Sequence, residues 1–361
     1  MREDAPLQRD AGDALTAAME EGDVIIREEG ALGRLTLNRP RALNALTLPM
    51  CETISAALED WAARPDITAV LVDAMPGRAF CAGGDIRAIH DWGRAKDPRA
   101  LRFFSVEYRM NALIARFPKP YVSLLDGITM GGGVGLSIHG SHRVASENTL
   151  FAMPETAIGL FPDVGGSYFL PRCPGEIGMY LGLTGARIGA ADMLHAGLAT
   201  HFVPSVRMGE VAPRLAAGEA VDKVLAALAG IPAPGALPEL RSAIERAFGT
   251  ETVPEILTGL IREGGWGNQT AEVLAARSPT SLVLTHRLLR TGRGQDLETC
   301  LAKERALVAQ ILEGHDFYEG VRAAVIDKDQ TPKWTLSRLE DVDATAIARM
   351  VEAANAPIWD A

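Results

Sequence analysis

The sequence predicts an α/β protein with a helical C-terminal region. Two observations carry this. Short apolar or alternating segments interleave with helix-period segments from Val24 to about His201, and the stretch from Met208 onward is rich in Ala, Leu, Glu and Arg. Such alternation also suits a three-layer α/β arrangement, so periodicity leaves the architecture within the class open. Residues 24–29 and 33–38 alternate apolar and polar around a glycine-containing turn, which reads as a hairpin closed by Arg39-Pro40. Between Thr47 and Trp61, the residues Met50, Ile54, Ala57, Leu58 and Trp61 recur at helical spacing, with Thr47 as the N-cap. A buried strand follows at 69–72. Residues 86–99 read as a polar stretch, 100–116 as a helix and 121–125 as a strand, with Pro118 and Pro120 marking the break. A short helix opens at Gly131 to Gly135, and strands follow near 143–145 and 150–152. Gly/Pro breaks in the helical remainder fall at 230–238 and 264–265. The resulting division is an N-terminal extension (1–22), a mixed core (23–207) and a helical region (208–361).

Composition narrows the function. With 361 residues, 47% apolar, the chain can bury a full core. Its 36 basic and 46 acidic residues, net −10, argue against nucleic-acid binding, which needs a basic face. No apolar run reaches the roughly 20 residues needed to span a bilayer. Cys51, Cys81, Cys173 and Cys300 are scattered, and the first 22 residues are too acidic for a transit peptide, so a cytoplasmic location is expected. His139 and His142 lack a third ligand, which gives no metal site. The run from Gly131 to Gly135 does not complete GxGxxG, because its sixth position is Leu136, and no Walker motif occurs. The run from Gly135 to His139 lacks the closing glycine of a serine-hydrolase elbow.

Two glycine loops, 81–85 (CAGGD) and 129–133 (TMGGG), sit where a backbone could approach a ligand closely. Their N–H groups could converge on one carbonyl as an oxyanion hole; each loop alone reads equally well as a tight turn. Glu155 and Asp163 lie in the otherwise apolar segment 153–166. Burial would raise their pKa values and let two carboxylates divide acid and base work; a surface Glu155 and a capping Asp163 is the plainer reading of the spacing.

The ordered segments 80–85 (FCAGGD), Lys119-Pro120 and 126–133 (DGITMGGG) resemble the crotonase superfamily. The likeness spans roughly residues 23–334. It implies a spiral of ββα repeats followed by a helical C-terminal region, acting on an acyl-coenzyme A thioester. Segments 128–137, 151–166, 314–322 (GHDFYEGVR) and 327–329 (DKD) resemble the 3-hydroxyisobutyryl-CoA hydrolase branch, which implies thioester hydrolysis in valine catabolism. By that resemblance the N–H groups of Ala82 and Gly132 hold the thioester oxygen, and Glu155 and Asp163 are the catalytic carboxylates. Glu107, Gly131 and Asp85 line the substrate, and Asn44 with the backbone of Ala42 and Leu43 meets the coenzyme. No separate cofactor is implied, since coenzyme A is part of the substrate. Trimeric assembly in the superfamily implies a homo-oligomer, although the long C-terminal element could cover the surfaces used for it.

The hydratases of the superfamily use two carboxylates, and the first occupies the position held here by Gly135. Glycine cannot move a proton, so this chain lacks half of the hydratase pair. The remaining alternatives are an enoyl-CoA hydratase and an acyl-CoA-binding scaffold without turnover.

Overall fold

The computed structural model describes residues 22–359. The reading of residues before Asp23 as an extension therefore falls, save for Gly22, outside the described residues. Strand β1 (Val24–Glu29) pairs antiparallel with β2 (Leu32–Leu37), as the alternation predicts. Helix α1 (Leu48–Ala63) starts at Thr47, whose hydroxyl accepts from the Met50 N–H at 3.3 Å. Then come β3 (Ala69–Ala74), β4 (Ala79–Cys81), α2 (Ile86–Arg94), α3 (Arg99–Ala115), β5 (Tyr121–Leu125), β6 (Ile128–Met130), α4 (Gly132–Ile138), β7 (His142–Ala145) and β8 (Leu150–Ala152).

These strands sort into two sheets. One has six strands in the order β1-β2-β3-β5-β7-β9, with β9 at His201–Phe202; the other has three, β4-β6-β8. Pairing is parallel everywhere except β1-β2. The first strand of each successive pair thus adds to the large sheet and the second to the small one. This is the ββα spiral. Strands β4 and β6 hold three residues each, too few for a period to register in sequence, whereas β8 lies where a strand near 150–152 is expected.

The polar stretch expected at 86–99 is corrected by the structure: Ile86–Arg94 is helical, capped by the Asp85 carboxylate on the Ala88 N–H at 3.3 Å. Only Ile89 on that helix is buried, so its sequence carries little apolar signal.

The rest is helical: α5 (Gly166–Phe169), α6 (Ile177–Thr184), α7 (Ala190–His195), α8 (Ser205–Met208), α9 (Val211–Ala216), α10 (Val221–Leu228), α11 (Leu237–Phe248), α12 (Val253–Arg262), α13 (Gly265–Ala275), α14 (Pro279–Gly292), α15 (Leu297–Ile311), α16 (Asp316–Val321) and α17 (Ala344–Ala353). A turn of π-helix, Arg322–Ile326, extends α16. Helices α9 and α10 cover one face of the large sheet, burying Leu71, Val122 and Val144 beneath Val211, Leu215 and Leu225. The other core is one cluster with members from Val24 to Ile358, so the helical region from Leu237 onward shares one interior with the spiral.

Candidate active site

The two glycine loops meet. Gly83 has φ +117° and Gly131 has φ +49°, conformations that L side chains rarely adopt. A Cβ added to Gly132 would fall 3.2 Å from the Gly84 nitrogen, and one on Gly133 would fall 2.2 Å from the Cys81 carbonyl oxygen. The start of α4 is therefore pressed directly against the 81–85 loop. This loop is tied in turn to the 39–46 turn: Ala82 N–H donates to Leu43 O (3.0 Å), Leu46 N–H to Gly83 O (2.8 Å) and Asp85 N–H to Leu46 O (2.8 Å).

That register corrects three sequence expectations. The Ala82 N–H is spent on Leu43, so it cannot also hold a thioester oxygen; the loop nitrogen beside Gly132 is that of Gly84, whose N–H has no backbone partner among the described residues. Asn44, expected at the coenzyme, is fully buried with its carboxamide consumed by backbone: Oδ1 accepts from Arg39 N–H (2.8 Å) and Nδ2 donates to Ala79 O (2.9 Å). Ala42, beside it, lies on the exposed part of the same turn and Leu43 is half-buried. The Asp85 carboxylate, expected at the substrate, caps α2 and pairs with Arg39 at 3.3 Å. Its work is to fasten the two loops.

Around the loops stand four buried carboxyl groups, Glu107, Glu155, Asp163 and Glu304, none more than 5% exposed. The plainer reading of a surface Glu155 is therefore excluded. Glu155 opens a 3-10 turn (Glu155–Ile158), and a Cβ on Gly131 would lie 3.1 Å from its Oε1. Its Oε2 has no hydrogen-bond partner among the described residues, and neither has Glu107 Oε1. Glu107, on α3, faces Gly132, where a Cβ would come within 2.3 Å of that oxygen. Asp163 is held differently: its Oδ2 accepts from the Tyr108 hydroxyl at 2.8 Å.

Burial pushes Glu155 well above the usual carboxylate range, and the charge of Asp163 adds to it. The same two causes, in the same order, raise Glu107. Asp163 is pushed up only to about 6, because the Tyr108 hydroxyl offsets part of its burial. Glu304 is raised by burial to about 8, tempered by hydrogen bonds from Ser167 and Gly165. At neutral pH the negative charge of the cluster thus rests first on Asp163.

Sequence reasoning missed Tyr108, Asn111, Glu304 and Gly84. Glu304 reaches in from α15, accepting from Gly165 N–H (2.8 Å), Ser167 N–H (3.0 Å) and Ser167 Oγ (2.5 Å). It grips the chain just after Asp163, where Val164 is forced to φ +50°, an unusual state for a β-branched residue. The Val164 carbonyl is 2.8 Å from His139 Nε2; burial lowers that imidazole to about 4, so it is neutral and Nε2–H donates. A polar residue on the apolar stripe of α3 was the available signal for Asn111 and Tyr108, since Phe104, Tyr108 and Asn111 share its buried face.

Gly135 is sealed. A Cβ there would lie 2.7 Å from Val164 Cβ and 2.9 Å from Asn111 Nδ2, so no carboxylate side chain could occupy this position without repacking. Behind Glu155, α16 abuts the 3-10 turn: a Cβ on Gly320 would come within 2.4 Å of the Ile158 carbonyl carbon, and one on Gly159 within 2.3 Å of Asp316 O. Asp316 accepts from the Ser278 hydroxyl (2.8 Å) and from the N–H and hydroxyl of Thr335 (both 2.8 Å), while Arg322 joins Glu319, Asp327 and Asp329. The 314–322 and 327–329 segments are thus one fastening behind the 3-10 turn that opens with Glu155. Among the described residues no group of three His, Cys, Asp or Glu side chains is arranged to hold a metal ion, and no helix is long and apolar enough to cross a membrane.

The profile of the enoyl-CoA hydratase/isomerase family matches residues 32–351. The chain is 47% identical over 335 residues to a mitochondrial 3-hydroxyisobutyryl-CoA hydrolase of Xenopus tropicalis, covering 90% of this chain and 87% of that one. It is 41% identical over 349 residues to 3-hydroxyisobutyryl-CoA hydrolase 1 of Arabidopsis thaliana, covering 92% of each. Among solved structures, a carnitinyl-CoA dehydratase from Mycobacterium thermoresistibile superposes with a TM-score of 0.87 at 40% identity over 93% of this chain and 97% of that one. An enoyl-CoA hydratase from Rhodobacter sphaeroides 2.4.1 gives 0.85 at 43% identity over 91% and 97%. Fold, loop register and sequence agree: the chain belongs to the crotonase (enoyl-CoA hydratase/isomerase) superfamily, in the branch of the 3-hydroxyisobutyryl-CoA hydrolases.

Proposed function

We propose that this chain hydrolyses a short 3-hydroxyacyl-CoA thioester, 3-hydroxyisobutyryl-CoA in the first instance, to the free acid and coenzyme A, a step of valine catabolism. The observation that carries the reading is the pairing of a buried Glu155 and Asp163 with a sealed glycine at position 135. Hydration needs a second carboxylate at that position; hydrolysis needs only a polarised carbonyl and one base. The hydratase and dehydratase names of the two structural neighbours belong to those proteins, and the packing at Gly135 favours the hydrolase over them here.

In this scheme the Gly84 and Gly132 N–H groups receive the thioester oxygen. Each donor contributes about 3 kcal/mol to the tetrahedral oxyanion, as such donors do elsewhere. Glu155, once ionised, takes a proton from water as the water oxygen attacks the carbonyl carbon, and the coenzyme A thiolate leaves and is reprotonated. The alternative route has the Glu155 carboxylate attack the same carbon, expelling thiolate to give a mixed anhydride that water then opens. Both routes need ionised Glu155, so activity should climb with pH through a range well above that of an ordinary glutamate.

The test is free-thiol release from 3-hydroxyisobutyryl-CoA by the purified chain. We expect turnover in the wild type and a loss of about 10³-fold in Glu155→Gln, with the thermal unfolding profile preserved. Normal turnover in that variant removes Glu155 from its role, and no release by the wild type removes the reaction. Compartment is a separate proposal. Four free, buried cysteines suit a reducing cytoplasm, whereas the vertebrate relatives carry mitochondrial names, and cell fractionation decides between them.

A further inference from the structure

Asn111 carries hydrogen-bonding capacity that the fold does not use. It lies four residues beyond Glu107 on α3, so the two side chains project from the same face, which packs against α4. The glycines of α4 register that contact. A Cβ on Gly132 would meet Glu107 Oε1 at 2.3 Å, and one on Gly135 would meet Asn111 Nδ2 at 2.9 Å. Asn111 is 0% exposed, and neither Oδ1 nor Nδ2 has a hydrogen-bond partner among the described residues. Asn44 shows what a structural asparagine looks like in the same molecule, with both ends of its amide bonded to backbone. A buried carboxamide that neither donates nor accepts destabilises a fold unless a ligand or an ordered water completes it. Its neighbour across Gly135 is Val164, the residue after Asp163, which puts the amide beside the carboxylate cluster.

We propose that Asn111 is a specificity-determining residue that binds the hydroxyl group of the acyl chain. Its Oδ1 accepts the hydroxyl proton and its Nδ2 donates to the hydroxyl oxygen, with Glu107 one helical turn away. The inference deepens, and rests on, the hydroxyacyl-thioester reading above. A hydroxyl is uncharged and both donates and accepts, which matches the two ends of a carboxamide. An anionic acyl chain would meet the charge on Asp163, and a plain alkyl chain would leave both ends of the amide unpaired. A site that pairs a substrate hydroxyl rejects the analogue lacking it, because the buried partners are then stranded.

The experiment measures kcat/KM for thiol release from 3-hydroxyisobutyryl-CoA and from isobutyryl-CoA, which differ only in the hydroxyl, using the full chain. We expect the wild type to prefer the hydroxylated substrate and Asn111→Leu, nearly isosteric, to reduce that preference by roughly 10- to 100-fold. If the leucine variant does not fold, Asn111→Ala, which leaves space instead of a clash, is read by the same ratio. A wild type indifferent to the hydroxyl overturns the inference. So does a folded variant that keeps the wild-type preference, whether both substrates slow equally or neither does. A wild type that releases no thiol from 3-hydroxyisobutyryl-CoA refutes the reaction itself and this inference with it, a result that appears before any substitution is made.

Discussion

The spiral and the helical region contribute to the site in different ways. From the spiral come the two glycine loops and Glu107, Glu155 and Asp163, the groups that face a substrate in the proposed reaction. From the helical region come Glu304, clamped on the backbone after Asp163, and α16, seated against the turn that opens with Glu155. The carboxyl groups of the spiral and the groups that brace them thus lie far apart in sequence: Glu304 bonds across 137 and 139 positions. Within the cluster the same division recurs. Glu155 keeps an unpaired oxygen and a strongly raised pKa, whereas Asp163 is tethered by Tyr108 and stays near 6. One carboxyl keeps an unpartnered oxygen among the described residues, and the other is tethered.

The largest expected effect on this division comes from unseating α16. Gly320→Ala drives a methyl to within 2.4–2.6 Å of the Ile158 backbone, where nothing flexible can give way. We expect a loss of about 3 kcal/mol in denaturant unfolding, accompanied by reduced turnover. Wild-type stability would mean that α16 does not press on the turn that opens with Glu155. Next, Tyr108→Phe removes the hydrogen bond to Asp163 and should cost about 1.5 kcal/mol or somewhat more. Because that bond lowers the Asp163 pKa, its loss should move the Asp163 titration above about 6, which a pH–rate profile reads.

The third effect is a slope and not a single loss. Glu304 is raised from 4.5 to about 8 in the folded state, so between these values the native protein holds a proton that the unfolded chain has released. Its contribution to stability is complete below about 4.5 and is lost as pH rises towards 8. Glu304→Gln should flatten the fall of the unfolding temperature across that window, and an unchanged slope would mean that Glu304 is not the group titrating there.

What could be read from sequence follows the same boundary. The hairpin, α1 with its Thr47 cap, α3 and β5 all announced themselves through period and capping, because each has a clear apolar face. Helix α2, with Ile89 its only buried residue, did not. The glycine loops were legible as a candidate site, but which N–H remains available was not. That depends on the Leu43 carbonyl, brought by the fold to Ala82 and leaving Gly84 to face Gly132. Likewise Asn44 and Asp85 are where the motif puts them, yet their side chains are used up by neighbours that only the folded chain reveals. Burial of Glu155 and Asp163 could not be read from their spacing, which equally suited a surface residue and a cap.

A site with Glu155 and Asp163 but only Gly135 at the hydratase position should split thioesters and leave enoyl chains unhydrated. The most direct measurement follows, with one purified sample, free-thiol release from 3-hydroxyisobutyryl-CoA and water addition to crotonyl-CoA. Rapid thiol release with negligible hydration is the predicted result. Efficient hydration without thiol release would contradict the account and require Asp163 or Glu107 to supply the second carboxylate.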